Sequence, residues 1–234
     1  MCSLLHNKKS NFKIILIAVF IIIWWKIFFT PDLINAQEPV TVARIKYQGG
    51  GDWYGNRTTF INLFHYILNN TNVDVTEREK TVEISDKELY KYPIIYMAGH
   101  GNIKFTEEEV IRLRKYLTSG GFLWADDDYG MDVSFRREMK RVFPELDWVE
   151  LPYSHSIYHV FYQFPNGLPK IHKHEGGPPK GFALFYEGTM VVFYSSNTDI
   201  SDGCEDPDIH NDPPEIRENA LKMGTNIIIW ALIH

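Results

Sequence analysis

Cysteine is almost absent. Cys2 and Cys204 are the two in 234 residues and lie on opposite sides of the one strongly apolar segment, so the folded part has no disulfide framework. Positive charge is scarce too: from Gln37 onward 20 basic residues face 29 acidic ones, a formal charge of −9. Such a body repels phosphate backbones, and nucleic acid is not an expected partner. Internal repeats and low-complexity stretches are missing, as are the Gly-x-Ser-x-Gly elbow, the P-loop and the dinucleotide fingerprint. What is present, 44% hydrophobic and 23% charged residues, excludes disorder and suffices for one domain with a sizeable core.

Lys8, Lys9 and Lys13 precede an apolar run from Ile14 to Trp25, which resumes after Lys26 through Phe29. A helix of that length rises about 24 Å, less than the roughly 30 Å hydrocarbon core. Residues 1–36 are therefore expected to be a signal peptide cut after Ala36, or an N-terminal membrane anchor in which Lys26 snorkels. Either way the lysine flank stays inside and the chain from residue 37 is exported to the periplasm, soluble or held to the inner membrane by one helix. Cys2 precedes the apolar run and is not a lipoprotein acylation site.

Downstream, strand and helix signals alternate. Val42–Tyr47 predicts a strand that runs into Gly49-Gly50-Gly51, and Thr58 or Thr59 caps a helix with Phe60, Leu63, Phe64, Ile67 and Leu68 on one face. Pro93–Ala98 predicts a buried strand. Thr106 and Glu109 form a capping box for a helix stopped by Gly120-Gly121. Phe122–Ala125 predicts another buried strand, leaving at Asp126-Asp127-Asp128, after which Ser134 caps a short helix. This alternation predicts an α/β fold with a doubly wound, mostly parallel sheet. The second half reads as antiparallel additions: strands at Asp147–Leu151 and Tyr158–Phe164, and a hairpin of Phe182–Tyr186 with Met190–Tyr194 through Glu187-Gly188. Asp212, Pro213 and Glu215 open a final helix from 213 to about 233.

Four motifs stand out together: Lys46-Tyr47 with Gly49 through Tyr54, Tyr96 through Gly101, Gly121 through Gly130, and Ser134-Phe135-Arg136-Arg137-Glu138. Through them residues 40–233 resemble the bacterial family catalogued as domain of unknown function 4159. The resemblance implies that residues 37–234 form a single domain similar in fold to class I glutamine amidotransferases, with a flavodoxin-like sheet, helices on both faces and an envelope location. It implies no activity, and fold alone supplies none.

An amidotransferase of that kind needs a cysteine nucleophile on a tight strand-to-helix turn. Here that turn carries Asp126, Asp127 and Asp128, and Cys204 sits among Asp202, Glu205 and Asp206, whose charge opposes a thiolate. His155 and His159 have zinc-helix spacing in a stretch that reads as extended, and His172 and His174 share a strand face or lie in a loop; no metal site and no cofactor is assigned. In parallel sheets ligands bind beyond the carboxyl ends of the strands. The candidate ligand-binding residues are thus Asp52, Trp53, Tyr54, His100, Asp126, Asp127 and Asp128, with Asp126 and Asp128 projecting to one side and Asp127 to the other. The expected function is a ligand-binding or protein-interaction module of the envelope, with a saccharide or an envelope protein as partner. The alternative is a hydrolase, metal-assisted in one version, using carboxylate and histidine groups at the same edge.

Overall fold

β-Branched and apolar runs too short for helices form the centre of the molecule. In the computed structural model, which describes residues 38–174 and 176–234, seven strands make one sheet in the order β2-β1-β3-β4-β7-β6-β5. The strands are β1 (Val42–Ile45), β2 (Lys80–Val82), β3 (Ile94–Gly99), β4 (Phe122–Asp127), β5 (Val149–Glu150), β6 (Lys180–Tyr186) and β7 (Thr189–Ser196). Five of them, β2, β1, β3, β4 and β7, run parallel, and β6 and β5 add antiparallel pairings at the end. The N-terminal segment expected to be a signal or anchor lies outside the described residues. Among the described residues no helix is long and apolar enough to cross a membrane.

Alternate residues of each strand feed two cores, as the period of two requires. On one face Val42, Ile94, Tyr96, Trp124 and Phe193 pack against α1 (Thr59–Asn70) and the C-terminal helix α6 (Pro214–Ile233). On the other, Ile45, Ile95, Met97, Leu123 and Tyr194 pack against α2 (Glu107–Thr118) and α3 (Asp132–Val142). Two one-turn helices, α4 (Ile200–Gly203) and α5 (Pro207–His210), follow β7. The capping box of α2 is complete: the Glu109 amide donates to Thr106 Oγ1 at 3.2 Å and the Thr106 amide to Glu109 Oε2 at 2.7 Å. The β6–β7 turn places Glu187 (φ 50°) and Gly188 (φ 85°) both in the left-handed region, the two-residue geometry that matches strand twist.

Several expectations are corrected. β4 does not stop at Ala125 but continues through Asp127, because Ala98 and Gly99 of β3 pair with Asp126 and Asp127. Ser134 does not cap α3; the helix begins at Asp132, and Asp127 Oδ1 accepts from the amides of Tyr129 and Met131 at 3.2 Å each. Thr58 takes the N-cap position of α1, but its side chain makes no capping bond, its hydroxyl accepting instead from the Asp206 amide at 3.0 Å, and Leu68 is exposed and not on the buried face. Tyr158–Phe164 is not a strand: Ser156–Tyr158 is a 3₁₀ turn, and the Asn226 side chain pairs with both the amide and the carbonyl of Tyr162 at 2.8 Å. Asp212 does not cap the last helix, since its carboxylate faces His172. β2, α4 and α5 carry too few residues to show a period and were not expected.

Ser134 and Glu138, one turn apart on α3, tie down the segment after β3. Ser134 Oγ accepts from the Ile103 amide and Glu138 Oε2 from the Phe105 amide, each at 3.1 Å. The Ser134–Glu138 motif therefore has a structural role, because it fixes the strand exit that carries His100.

Candidate functional site

The parallel strands all end on one edge, and the loops leaving them meet there. The glycine loop after β1 is organised from beneath by Arg44, a buried residue of β1 that donates to the carbonyls of Gly55 at 3.0 Å and Asn56 at 2.8 Å. Its guanidinium also lies 5.0 Å from the Tyr96 ring centroid. Gly49 and Gly50 have φ of 118° and 95°, a backbone region that glycine adopts without strain. Gly99 (φ 127°) admits no side chain, because a Cβ would lie 2.6 Å from the Tyr47 hydroxyl oxygen and 2.8 Å from Asp52 Oδ1.

Asp52 and His100 come together. The His100 amide donates to Asp52 Oδ1, and His100 Nδ1 lies 3.1 Å from Asp52 Oδ2. Both side chains are partly open to solvent, so the carboxylate orients an accessible imidazole. Trp53 and Tyr54 stack edge to face with centroids 5.7 Å apart; Trp53 packs on the α2–α3 face of the core and Tyr54 is exposed.

The three aspartates of β4 separate as alternation requires. Asp126 and Asp128 turn to one side and are almost wholly buried. Asp126 Oδ2 accepts from the Ser201 amide and hydroxyl, each at 2.7 Å, and its Oδ1 from the Ser195 hydroxyl. Asp128 accepts from the Ser201 hydroxyl at 2.9 Å and from Asn56 Nδ2 at 2.9 Å. Burial is the main cause that pushes Asp126 up to about 7 and Asp128 well above the carboxylate range, the charges of Asp202 and Asp126 adding to the rise at Asp128. Asp127 turns to the other side, where its Oδ2 lies 2.9 Å from the Tyr194 hydroxyl; burial raises it as well.

On Asp127's side a cleft of about 510 Å³ opens between the ends of β4 and β7, the start of β6 and the first turn of α3. Asp127, Asp132, Arg136, Lys180, Phe182 and Asn197 are among its walls. The Arg136 guanidinium lies over aromatic rings, 4.4 Å from the centroid of Phe182 and 5.2 Å from those of Trp148 and Tyr194, with its Nε bonded to Asp132 at 2.7 Å.

A second cluster lies beyond β7. His172 Nδ1 is 3.4 Å from Asp199 Oδ2 and 3.5 Å from Asp202 Oδ2, and its Nε2 is 3.1 Å from Asp212 Oδ2. The Asp199 and Asp202 carboxylates, followed by Asp212, raise His172 to about 10 against the opposing effect of burial. His155 and His159 are elsewhere, immediately before and after the 3₁₀ turn, with His155 Nδ1 accepting from the Ile157 amide and His159 Nε2 lying 2.7 Å from the Tyr153 carbonyl. Cys204 is fully buried, and burial followed by the charge of Asp126 pushes its thiol well above the usual range. It offers no thiolate for nucleophilic attack.

Residues 41–232 match the family described as Domain of unknown function (DUF4159). The chain belongs to that family. No match was found among curated proteins. In this DUF4159 domain Asn56, Arg136, Ser201 and the His172 cluster were not foreseen as one arrangement. Arg136 lay inside a motif already singled out, whereas Asn56 comes from a loop and Ser201 from the one-turn helix α4, neither with a distinguishing pattern. The pairs His172-x-His174 and Asp199-x-x-Asp202 were the only sequence signal of the cluster.

Proposed function

We propose that this DUF4159 domain is an exported envelope module that binds a polar, saccharide-type ligand in the cleft beside Asp127. The observation that carries the reading is the Arg136 guanidinium held over the rings of Trp148, Phe182 and Tyr194 and bonded to Asp132, in a cleft that Asp127 also lines. Carboxylate, guanidinium, ammonium and amide groups around the cleft match sugar hydroxyls as acceptors and donors, and Phe182 supplies an apolar wall. The parallel strand order β2-β1-β3-β4-β7 supports a flavodoxin-like and amidotransferase-like reading, with β7 in the fifth position. The buried, high-pKa Cys204 argues against glutaminase chemistry.

Titration of the full chain with neutral and acidic oligosaccharides, followed by tryptophan fluorescence, is expected to give saturable binding that Arg136→Ala weakens at least about tenfold, the value of one charged hydrogen bond. Unchanged binding by Arg136→Ala would move the ligand out of this cleft. The hydrolase reading is favoured by one observation, the Asp52–His100 pair with its accessible imidazole. Turnover of a bound saccharide by the wild type but not by His100→Ala would make that reading the right one.

Export rests on the lysine-rich flank before Ile14. An enzyme reporter fused after His234 should be active only where it functions outside the cytoplasm. Activity of a cytoplasm-dependent reporter at that position would overturn the topology.

A further inference from the structure

The His172 cluster has features that an ion-pair network does not explain. Asp199 is 2% exposed, and its Oδ2 has no hydrogen-bond partner although His174 Nε2 lies only 2.9 Å away. The ring nitrogen and the oxygen converge without the alignment of a hydrogen bond. Asp202, 6% exposed, has a second orphaned oxygen, Oδ1. Leaving buried carboxylate oxygens without a hydrogen bond is costly, and a bound cation is one partner that satisfies them.

Three ligands converge: His172, His174 and Asp199 each offer one atom, and the three atoms all lie within 4.8 Å of one another. The separations of Asp199 Oδ2 from His172 Nδ1, 3.4 Å, and from His174 Nε2, 2.9 Å, bracket the edge of about 3.3 Å that a tetrahedral ion with bonds near 2.05 Å requires. The other nitrogen of His172 is held by Asp212 at 3.1 Å, the carboxylate–histidine arrangement that fixes which nitrogen of a ligating ring faces the ion. A second triad, His172, Asp202 and His210, shares His172, but its His210 Nε2 is 3.9 Å from Asp202 Oδ2 and is engaged by Glu205 at 2.9 Å.

We propose that His172, His174 and Asp199 bind one divalent transition-metal ion of the zinc class, with Asp212 as the positioning residue for His172. Two imidazoles and one carboxylate suit such an ion rather than Mg²⁺ or Ca²⁺, and three protein ligands leave a position for water or a substrate oxygen. Asp202 lies on the same side of His172 Nδ1 and adds negative charge next to the ion. The site does not depend on which ligand the Arg136 cleft takes.

The test uses the full chain in detergent, stripped with EDTA and titrated with Zn²⁺ against a chromophoric chelator, then loaded with Co²⁺ for its visible spectrum. One equivalent is expected to bind, with d–d bands and no sulfur-to-cobalt charge transfer. His174→Ala and Asp199→Asn should each weaken binding about 100-fold, and Asp212→Asn about 10- to 100-fold. His174 is an exposed side chain, so its variant keeps the fold, which far-UV circular dichroism checks. Arg136→Ala should take up metal like the wild type, so that failure here and failure of the cleft reading are separate results. Absence of stoichiometric uptake, equal uptake by the His174 and Asp199 variants, or loss with His210→Ala but not His174→Ala would overturn the assignment.

Discussion

Asp126→Ala is expected to destabilise the domain by about 3 kcal/mol and to lower Tm by roughly 10 °C, because the Ser195 hydroxyl and the Ser201 amide and hydroxyl lose their common acceptor in a dry site. Thermal unfolding followed by circular dichroism reads this directly. Asp126→Asn keeps the shape: its amide oxygen still accepts from Ser201, and Ser195 can turn its proton to the Ala125 carbonyl, 3.1 Å away. The two variants must also differ in pH dependence. The folded-state pKa of Asp126 is raised to about 7, above the roughly 3.9 of an unfolded aspartate, so the folded chain holds a proton that the unfolded chain has already released. This group's contribution is greatest below about pH 4 and declines as pH rises to about 7. Urea titrations at pH 5 and pH 8, in EDTA, should therefore show Asp126→Asn gaining on the wild type with rising pH. A constant or opposite difference would mean that Asp126 is ionised in the folded chain.

The second large effect belongs to Glu138. Glu138→Ala removes the acceptor of the Phe105 amide, of Arg137 Nε at 2.9 Å and of Arg141, and is expected to cost about 2 kcal/mol, less than the roughly 3–5 kcal/mol for breaking a fully buried pair because both arginines reach solvent. Burial alone would raise this carboxyl; the hydrogen bonds from Arg137, the Phe105 amide and Arg141 more than offset it and lower its pKa. Its contribution is thus present above the unfolded glutamate pKa and lost as pH falls through the lower folded value, opposite in sign to Asp126. Faster amide exchange at Ile103 and Phe105 in Glu138→Ala is the local readout. A melting temperature within about 1 °C of wild type would show that Ser134 alone holds the segment.

The sequence exposed most of the parallel core because β3 and the first four residues of β4 are continuous apolar runs, because β1 is rich in β-branched residues, and because the Thr106–Glu109 box and the Glu187-Gly188 turn have local chemistry of their own. It also exposed the alternation of Asp126, Asp127 and Asp128, since the strand period extends through them. What it hid is non-local. Asp127 and Asp128 looked like loop carboxylates whose loss a fold tolerates, yet both are buried, and only Asn56, Tyr194 and Ser201, far along the chain, make that burial possible. Tyr158–Phe164 has strand-like residues, but its backbone partner is the side chain of Asn226, which no propensity encodes. The His172 cluster gathers loop residues spread over forty positions, where no period can act.

The knot of Asp126, Asp128, Asn56 and Ser201 joins positions 75 and 145 apart in the chain, and this sets an order of events in folding. Contacts that close such long loops are entropically expensive and form late. β2, β1, β3 and β4 can pair once residue 127 has emerged, whereas the free side of β4 waits for β7 and α4. During that interval the three aspartates at its tip are in water and ionised. An incomplete chain therefore presents not a bare apolar strand edge but one that ends in negative charge, which repels a second copy until the rest of the domain docks and the aspartates are buried.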